Sequence, residues 1–259
     1  DLKKILEDCG LLVDGSAKLS IWNVEDSNFK LNSNIHDFFI IRGKAGFEAK
    51  LKKKLNKQYI ETEFGSKAIS RSEKREYVAT RIINKQNQPK TIKSKYIICT
   101  GKSFELVKDN FILKKFSDFN IFGEMLRGNH FSEGITTVFF NKEKIGGGYV
   151  YATCLANSSV LAIVCDNPKK LKKKYILFKK NLGLKSDINI LNNFSGNYSS
   201  GILKYYNTDR IYLSGDSAYL ADSFIGYGIS PAIISGFHSV NAIYKKIGGK
   251  PSKIGRAHV

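Results

Sequence analysis

The chain has 259 residues, enough for one large domain or two small ones around a real core. Hydrophobic content of 42% and charged content of 25% are ordinary for a soluble globular protein, and no apolar run approaches the length of a membrane span. The charge is not ordinary: 42 Lys+Arg against 23 Asp+Glu give +19, which suits nucleic acid, an anionic membrane surface or an anionic substrate.

Lys, Asn and Ile are abundant throughout, so compositional bias accounts for most of that excess. The four cysteines, Cys9, Cys99, Cys154 and Cys165, have no CxxC spacing and read as reduced thiols of a cytoplasmic protein. His36, His130 and His238 are scattered, without metal-ligand spacing and without a Ser/His/Asp set.

In chain order, LKKILEDCGLL reads as a helical segment, followed by strand-like pieces at Leu19–Val24. Phe38 to Ile41 is a buried-strand run ended by Arg42-Gly43. A helix follows with Phe47, Leu51 and Leu55 on one face and Lys50, Lys52, Lys53 and Lys54 on the other. Strands are expected at Tyr59–Phe64 and Tyr77–Ile83, with a polar stretch at Gly65–Glu76 between them. Asn84–Pro89 is a turn, and Lys95–Gly101 a strand with a glycine stop.

Further on, Phe116, Phe119, Phe122 and Met125 form an aromatic-rich segment. Strands are expected at Ile135–Phe140, Gly148–Ala152 and Val160–Val164. Asp166-Asn167-Pro168 supplies a polar N-cap and a first-turn proline for a helix burying Leu171, Tyr175, Phe178 and Leu182. The lysines from Lys169 to Lys180 make this the most basic surface of the chain, a solvated face or a helix resting on anionic headgroups.

The most informative stretch is Ile211 to Ile243. Ile211, Tyr212 and Leu213 form a short strand that breaks at Gly215-Asp216. A loop with Gly226 and Gly228 then enters a helix expected to bury Ile229, Ile233, Gly236, Phe237 and Val240. Strand, acidic turn, glycine loop and helix N-terminus are the parts of a site built from backbone amides. Glycines let the main chain approach a flat or anionic ligand, and Asp216 can accept hydrogen bonds from ligand hydroxyls.

LSGDSAYLADSFIGYGI followed by PAIISG resembles the second flavin-binding motif of FAD-dependent oxidoreductases of the geranylgeranyl reductase and aromatic hydroxylase type. Ser223 stands where that family has Pro, and Tyr227 where its reductases often have Glu. The resemblance implies that Asp216, beside Gly215, holds the ribityl chain of FAD. It also implies that the amides after Gly226 and Gly228, from Ile229 on, face the pyrimidine end of the flavin ring. FFIIRGKAGFEAKL resembles the family's strand-to-helix segment whose arginine, here Arg42, reaches the flavin nucleotide. YIICTGKS resembles the Thr-Gly segment beside the adenosine half, with Gly101 at its turn. GGGYVYATCLANSSVLAIV resembles the wall facing the flavin, so Tyr149 or Tyr151 lines a substrate pocket, core packing being the competing explanation.

The expected fold is α/β: a Rossmann-like FAD-binding domain of the GR2 type without its first βαβ unit, combined with an antiparallel substrate-side sheet. The GxGxxG of that unit is not in the sequence, and truncation ahead of Asp1 is the expected reason, leaving this fragment inactive. Residues 1–103 and 201–247 are assigned to the FAD-binding domain and 104–200 to the substrate side. Residues 254–259 are assigned to a non-native tail, since they back-translate to something like a sequencing adapter. The resemblance implies reduction of double bonds in a polyprenyl lipid or related apolar substrate, with NAD(P)H or ferredoxin as electron donor. An FAD-dependent monooxygenase or halogenase is the first alternative, and a non-catalytic basic module for membrane or nucleic acid the second. Peripheral contact with an anionic membrane fits the charge, whereas no aromatic-interleaved motif favours nucleic acid.

Overall fold

The computed structural model describes residues 5–6, 16–18, 22–24, 36–38, 47–55, 58–140, 145, 147–155, 157–185, 187–222 and 228–248. The chain divides into two compact units. The first comprises Asp1–Leu12, Arg42–Phe116 and Ser199–Val259; the second comprises Val13–Ile41 and Ser117–Tyr198. The architecture is mixed α/β, as expected from the sequence.

In chain order the described elements begin with β1 (Ser16–Lys18), β2 (Trp22–Val24), β3 (His36–Phe38) and α1 (Phe47–Lys54). They continue with β4 (Lys67–Glu73), β5 (Val78–Ile83), β6 (Pro89–Ser94), β7 (Ile97–Cys99) and β8 (Leu113–Arg127). Next come β9 (Thr136–Phe140), β10 (Gly148–Leu155), β11 (Ser158–Cys165) and α2 (Leu171–Asn181). The last are β12 (Ile190–Leu203), β13 (Ile211–Leu213) and α3 (Ile229–Lys246).

In the first unit, β4, β5 and β6 form an antiparallel sheet, and β7 pairs with β13 in parallel. Its core gathers Val78, Phe104, Val107, Ile211, Leu213 and Ala218. Arg210, just ahead of β13, donates from its guanidinium to the carbonyls of Arg75 and Lys95, tying the strand's entry to two loops.

The second unit is built on a six-stranded sheet in the order β12-β8-β11-β10-β9-β2, and the division of the chain falls inside β8 and β12. Alternation along the strands puts Val150, Ala152, Leu161, Ile163 and Cys165 on one face, packed against Leu171, Tyr175 and Phe178 of α2. Strand separation is tight at Gly148, where a Cβ would lie 2.0 Å from the Val164 carbonyl oxygen. Under α2 a largely buried polar cluster accompanies this core. Glu124 accepts from Tyr175 Oη at 3.0 Å and from Lys179 Nζ at 2.6 Å, with both charged side chains 14% exposed.

Several expectations are corrected. Tyr59–Phe64 forms no strand, and Tyr59 and Phe64 are 78% and 70% exposed. The segment pairs with no strand of the neighbouring sheet, whose order is β4-β5-β6. The polar stretch from Lys67 becomes a strand because β5 supplies its ladder. On α3 the expected inward face is displaced: Val240 is 56% exposed, and the stripe turned to β13 runs through Pro231, Ser235 and His238. The stretch from Ile190 to Leu203, to which the sequence reading assigned no element, is a 14-residue strand.

No described helix is long and apolar enough to cross a membrane. Cys99, Cys154 and Cys165 are free and buried, while Cys9 lies outside the described residues.

Candidate functional site

The two parallel strands β7 and β13 end in the same way, at the same level. Leu213 pairs with Cys99, so Ser214-Gly215-Asp216-Ser217 follows β13 where Thr100-Gly101-Lys102-Ser103 follows β7. Thr100 and Ser214 are both extended, and Gly101 and Gly215 both turn the chain at φ +57°, into a 3-10 turn each. A left-handed residue at this step is cheap only for glycine. Ligands of open α/β sheets bind at such carboxyl ends of parallel strands, where two turns diverge.

Serine hydroxyls fasten the two turns to each other. Ser217 Oγ donates to the Gly101 carbonyl at 2.7 Å and lies 3.1 Å from Ser103 Oγ, while Ser103 Oγ donates to the Thr100 carbonyl at 2.6 Å. Each hydroxyl has one proton, so the Ser103–Ser217 contact competes with the two carbonyl bonds. Ser217 is fully buried and its neighbour Asp216 is exposed.

A second set of hydroxyls fastens α3. Ser235 Oγ donates to the Pro231 carbonyl at 2.6 Å, one turn back, and accepts from the Gly215 amide at 3.0 Å. With its proton committed, Ser235 is the acceptor of the bond from Ser214 Oγ at 3.0 Å. A Cβ on Gly215 would come within 3.0 Å of Ala232 Cβ, so the glycine also sets how closely the helix packs. Gly228 is the helix N-cap and, as a glycine, brings no side chain of its own to cap the first turn. The amides there and the positive end of the helix dipole make a place for electron-rich ligand atoms.

Gly101, Gly215 and Asp216 thus share one cluster, tied through Ser235 and Ala232 to the helix that begins at Gly228 and Ile229. Arg42 and Gly226 lie outside the described residues. Tyr149 and Tyr151 belong to the second unit, on the sheet face opposite α2. Tyr149 is 3% exposed, with its hydroxyl 3.4 Å from that of Tyr198, and Tyr151 is half-buried. Burial, and then the nearby Tyr198, push the Tyr151 phenol up to about 12. Sequence reading missed Ser214, Ser217 and Ser235, since the residues next to a serine give no signal of a partner far along the chain.

The donor set suits a flavin dinucleotide. Among the described residues, and apart from its two chain neighbours, none lies within 4 Å of where a Gly101 Cβ would stand. The Asp216 carboxylate is solvent-accessible and engages no described residue, and α3 starts at a glycine N-cap that has no side chain to occupy the helix end. A carboxylate accepts from polyol hydroxyls, and amides suit the carbonyl-rich edge of a flavin ring. A separate cavity of about 590 Å³ lies between β13 and α3, lined by Tyr206, Tyr212, Ile234, His238 and Ala242 among others. None of Gly101, Gly215, Asp216, Gly228 or Ile229 lines it.

No protein-family model matches the sequence, and no curated protein matches it. Solved structures do match the fold. A geranylgeranyl bacteriochlorophyll reductase-like protein of Thermoplasma acidophilum superposes at TM-score 0.73 and 17% identity, over 94% of this chain and 66% of its own. The flavin-dependent brominase Bmp2 gives TM-score 0.72 and 16% identity, over 97% of this chain and 69% of its own. The p-nitrophenol 4-monooxygenase PnpA of Pseudomonas putida gives TM-score 0.72 and 12% identity, over 95% and 70%. The chain therefore spans about two thirds of the length of these proteins. Its fold is the FAD-binding flavoprotein fold shared by reductases, monooxygenases and halogenases.

Proposed function

We propose that this chain is the flavin-carrying core of an FAD-dependent oxidoreductase. The observation that carries the reading is the in-register pair of strand ends at Gly101 and Gly215, with Asp216 exposed beside them. Asp216 would hold the ribityl hydroxyls. The Gly228–Ile229 amides would bind the pyrimidine edge, where negative charge accumulates on reduction. Bound FAD supplies the hydride or electron chemistry. The chain's own residues bind and orient it: Ser217 and Ser103 hold the two turns together, and Ser235 fixes the helix against Gly215.

For the substrate we favour a polyprenyl or similarly apolar double bond. The sequence resemblance and the reductase-like neighbour support this choice, and Tyr149 and Tyr151 are its pocket candidates. Monooxygenase or halogenase chemistry is the second reading, favoured by the brominase and the nitrophenol monooxygenase at nearly the same TM-score.

The test is visible absorption and flavin fluorescence on the full product of the gene, titrated with FAD, as wild type and as Asp216→Ala. Loss of a charge-assisted hydrogen bond predicts affinity about 10- to 100-fold weaker in the variant. A folded wild type that takes up no FAD, or a variant that binds it undiminished, would sink the reading. With the flavoprotein in hand, reduction of a prenyl lipid in the absence of oxygen separates the first reading from substrate-dependent oxygen consumption.

A further inference from the structure

Helix α2 has two faces with different tasks. Leu171, Tyr175 and Phe178 are buried against the sheet, Lys179 is engaged by Glu124, and Lys174 donates to the Ile145 carbonyl at 2.5 Å. Lys172 lies over the Phe122 ring, 5.9 Å from its centroid. At 100° per residue, the opposite face presents Lys173 and Lys180 with Ile176 and Leu177 on either side of them. Ile176 is 58% exposed and Leu177 54%. No Asp or Glu occurs from Asn167 to Ser186.

Either feature alone is ordinary. Exposed lysines are solvated faces on most proteins, and single exposed aliphatics need no explanation. Together they match one kind of surface. Ammonium groups are attracted to anionic headgroups, and aliphatic side chains between them gain only where there is hydrocarbon to enter. A nucleic acid backbone would reward the lysines and leave Ile176 and Leu177 in water. Lysine stems accommodate the geometry, lying along apolar surface while the charge stays in the headgroup layer.

We propose that the outer face of α2 is a membrane-docking surface for anionic lipid, with Lys173 and Lys180 binding headgroups and Ile176 and Leu177 entering the acyl boundary. The docking surface is independent of the flavin reading and survives its failure.

The test is co-sedimentation of the full chain with vesicles of phosphatidylcholine alone and of phosphatidylcholine mixed with phosphatidylglycerol. Binding is expected only to the mixed vesicles, and to weaken with salt. Each lysine near the surface is worth roughly fivefold, so Lys173→Glu with Lys180→Glu should abolish binding. Ile176→Ser with Leu177→Ser keeps the charge and should weaken binding at least about tenfold. Both pairs are exposed, and unchanged thermal melts would show that the fold is intact. The control is Lys53→Glu with Lys54→Glu on α1, the same charge change on another lysine-rich helix, expected to retain most binding.

Equal loss in the α1 variant, or full binding after Ile176→Ser with Leu177→Ser, would reduce the effect to bulk charge and overturn the proposal. So would absence of vesicle binding, or capture of oligonucleotides that depends on Lys173 and Lys180 but not on Ile176 and Leu177.

Discussion

The turns after β7 and β13 and the sheet under α2 solve the same problem, fixing backbone in place, with different materials. Around Gly101 and Gly215 the fasteners are serine hydroxyls bonded to carbonyls and amides, and the residues between them are small. Under α2 the work is done by apolar side chains from five positions of the sheet and three of the helix, with one largely buried ion pair beside them. Small polar fasteners leave main chain accessible to a ligand; large apolar ones fill every space. The comparison predicts that damage to the sheet costs stability, and that damage to the turns costs little stability but alters what binds there.

The largest effect is expected at Glu124. Replacing it by Ala leaves the Lys179 ammonium and the Tyr175 hydroxyl in a place that water reaches poorly. Removing one partner of such a pair costs about 3–5 kcal/mol. Glu124→Leu with Lys179→Met removes both charges and should recover much of that loss, as measured by urea unfolding. If Glu124→Ala melts like wild type, the pair is solvated and the contrast between the two regions is weaker than drawn.

The sheet should also carry the alkaline limit of stability. Burial pushes the Tyr151 phenol up to about 12 and, with Glu124 beside it, raises the Tyr175 phenol as well. A free tyrosine ionises near 10, so above that value the unfolded chain loses protons that the folded chain keeps. The unfolded state then binds fewer protons, and stability falls as pH rises. The contribution is fully present below about pH 10 and is lost as pH climbs through the folded value. For Tyr151 alone this amounts to about 1 kcal/mol at about pH 11. Tyr151→Phe should flatten the decline in urea midpoint between about pH 8 and about pH 11 by that amount. An unchanged slope would mean the phenol is free to ionise in the fold.

The two regions also differ in how much of them a sequence can announce. Turn chemistry is local and was legible. Asn84 Oδ1 accepts from the amides of Gln86 and Gln88, and Asn87 sits at φ +59°. The start of α2 was legible for the same reason, Asn167 Oδ1 accepting from the Lys169 amide at 3.1 Å ahead of the helix. Gly215 and Asp216 could be read because a strand, a glycine and an acid follow one another directly. By contrast, β12 could not be found, since LNNFSGNYSSG has the composition of a loop. Its extended form comes from pairing with β8, where Gly201 passes so close that a Cβ would stand 2.8 Å from the Lys114 carbonyl oxygen. The serine fasteners were hidden likewise, because Ser217 meets Gly101 across 116 positions of sequence and Ser235 meets Gly215 across 20.

The most diagnostic effect should come from Ser217→Ala. The substitution removes the bond to the Gly101 carbonyl and the contact with Ser103, in a site without solvent exposure. Ser103 keeps its own bond to the Thr100 carbonyl, so one acceptor is left unmet, and the expected cost is about 1–2 kcal/mol. A methyl in place of the hydroxyl adds no bulk, so β7 and β13 should keep their register. What should change is the spacing of the two turns, and with it the affinity for FAD, by more than the stability loss alone would produce. Ser217→Thr retains the hydroxyl but adds a methyl beside fully buried Ala218, and should restore ligand affinity only if the turns can widen to admit it. If Ser217→Ala lowers the urea midpoint and leaves FAD titration untouched, the hydroxyl serves the fold alone. The paired strand ends would then hold their geometry through the backbone bonds from Ile97 to Arg210 and from Ser214 to Cys99.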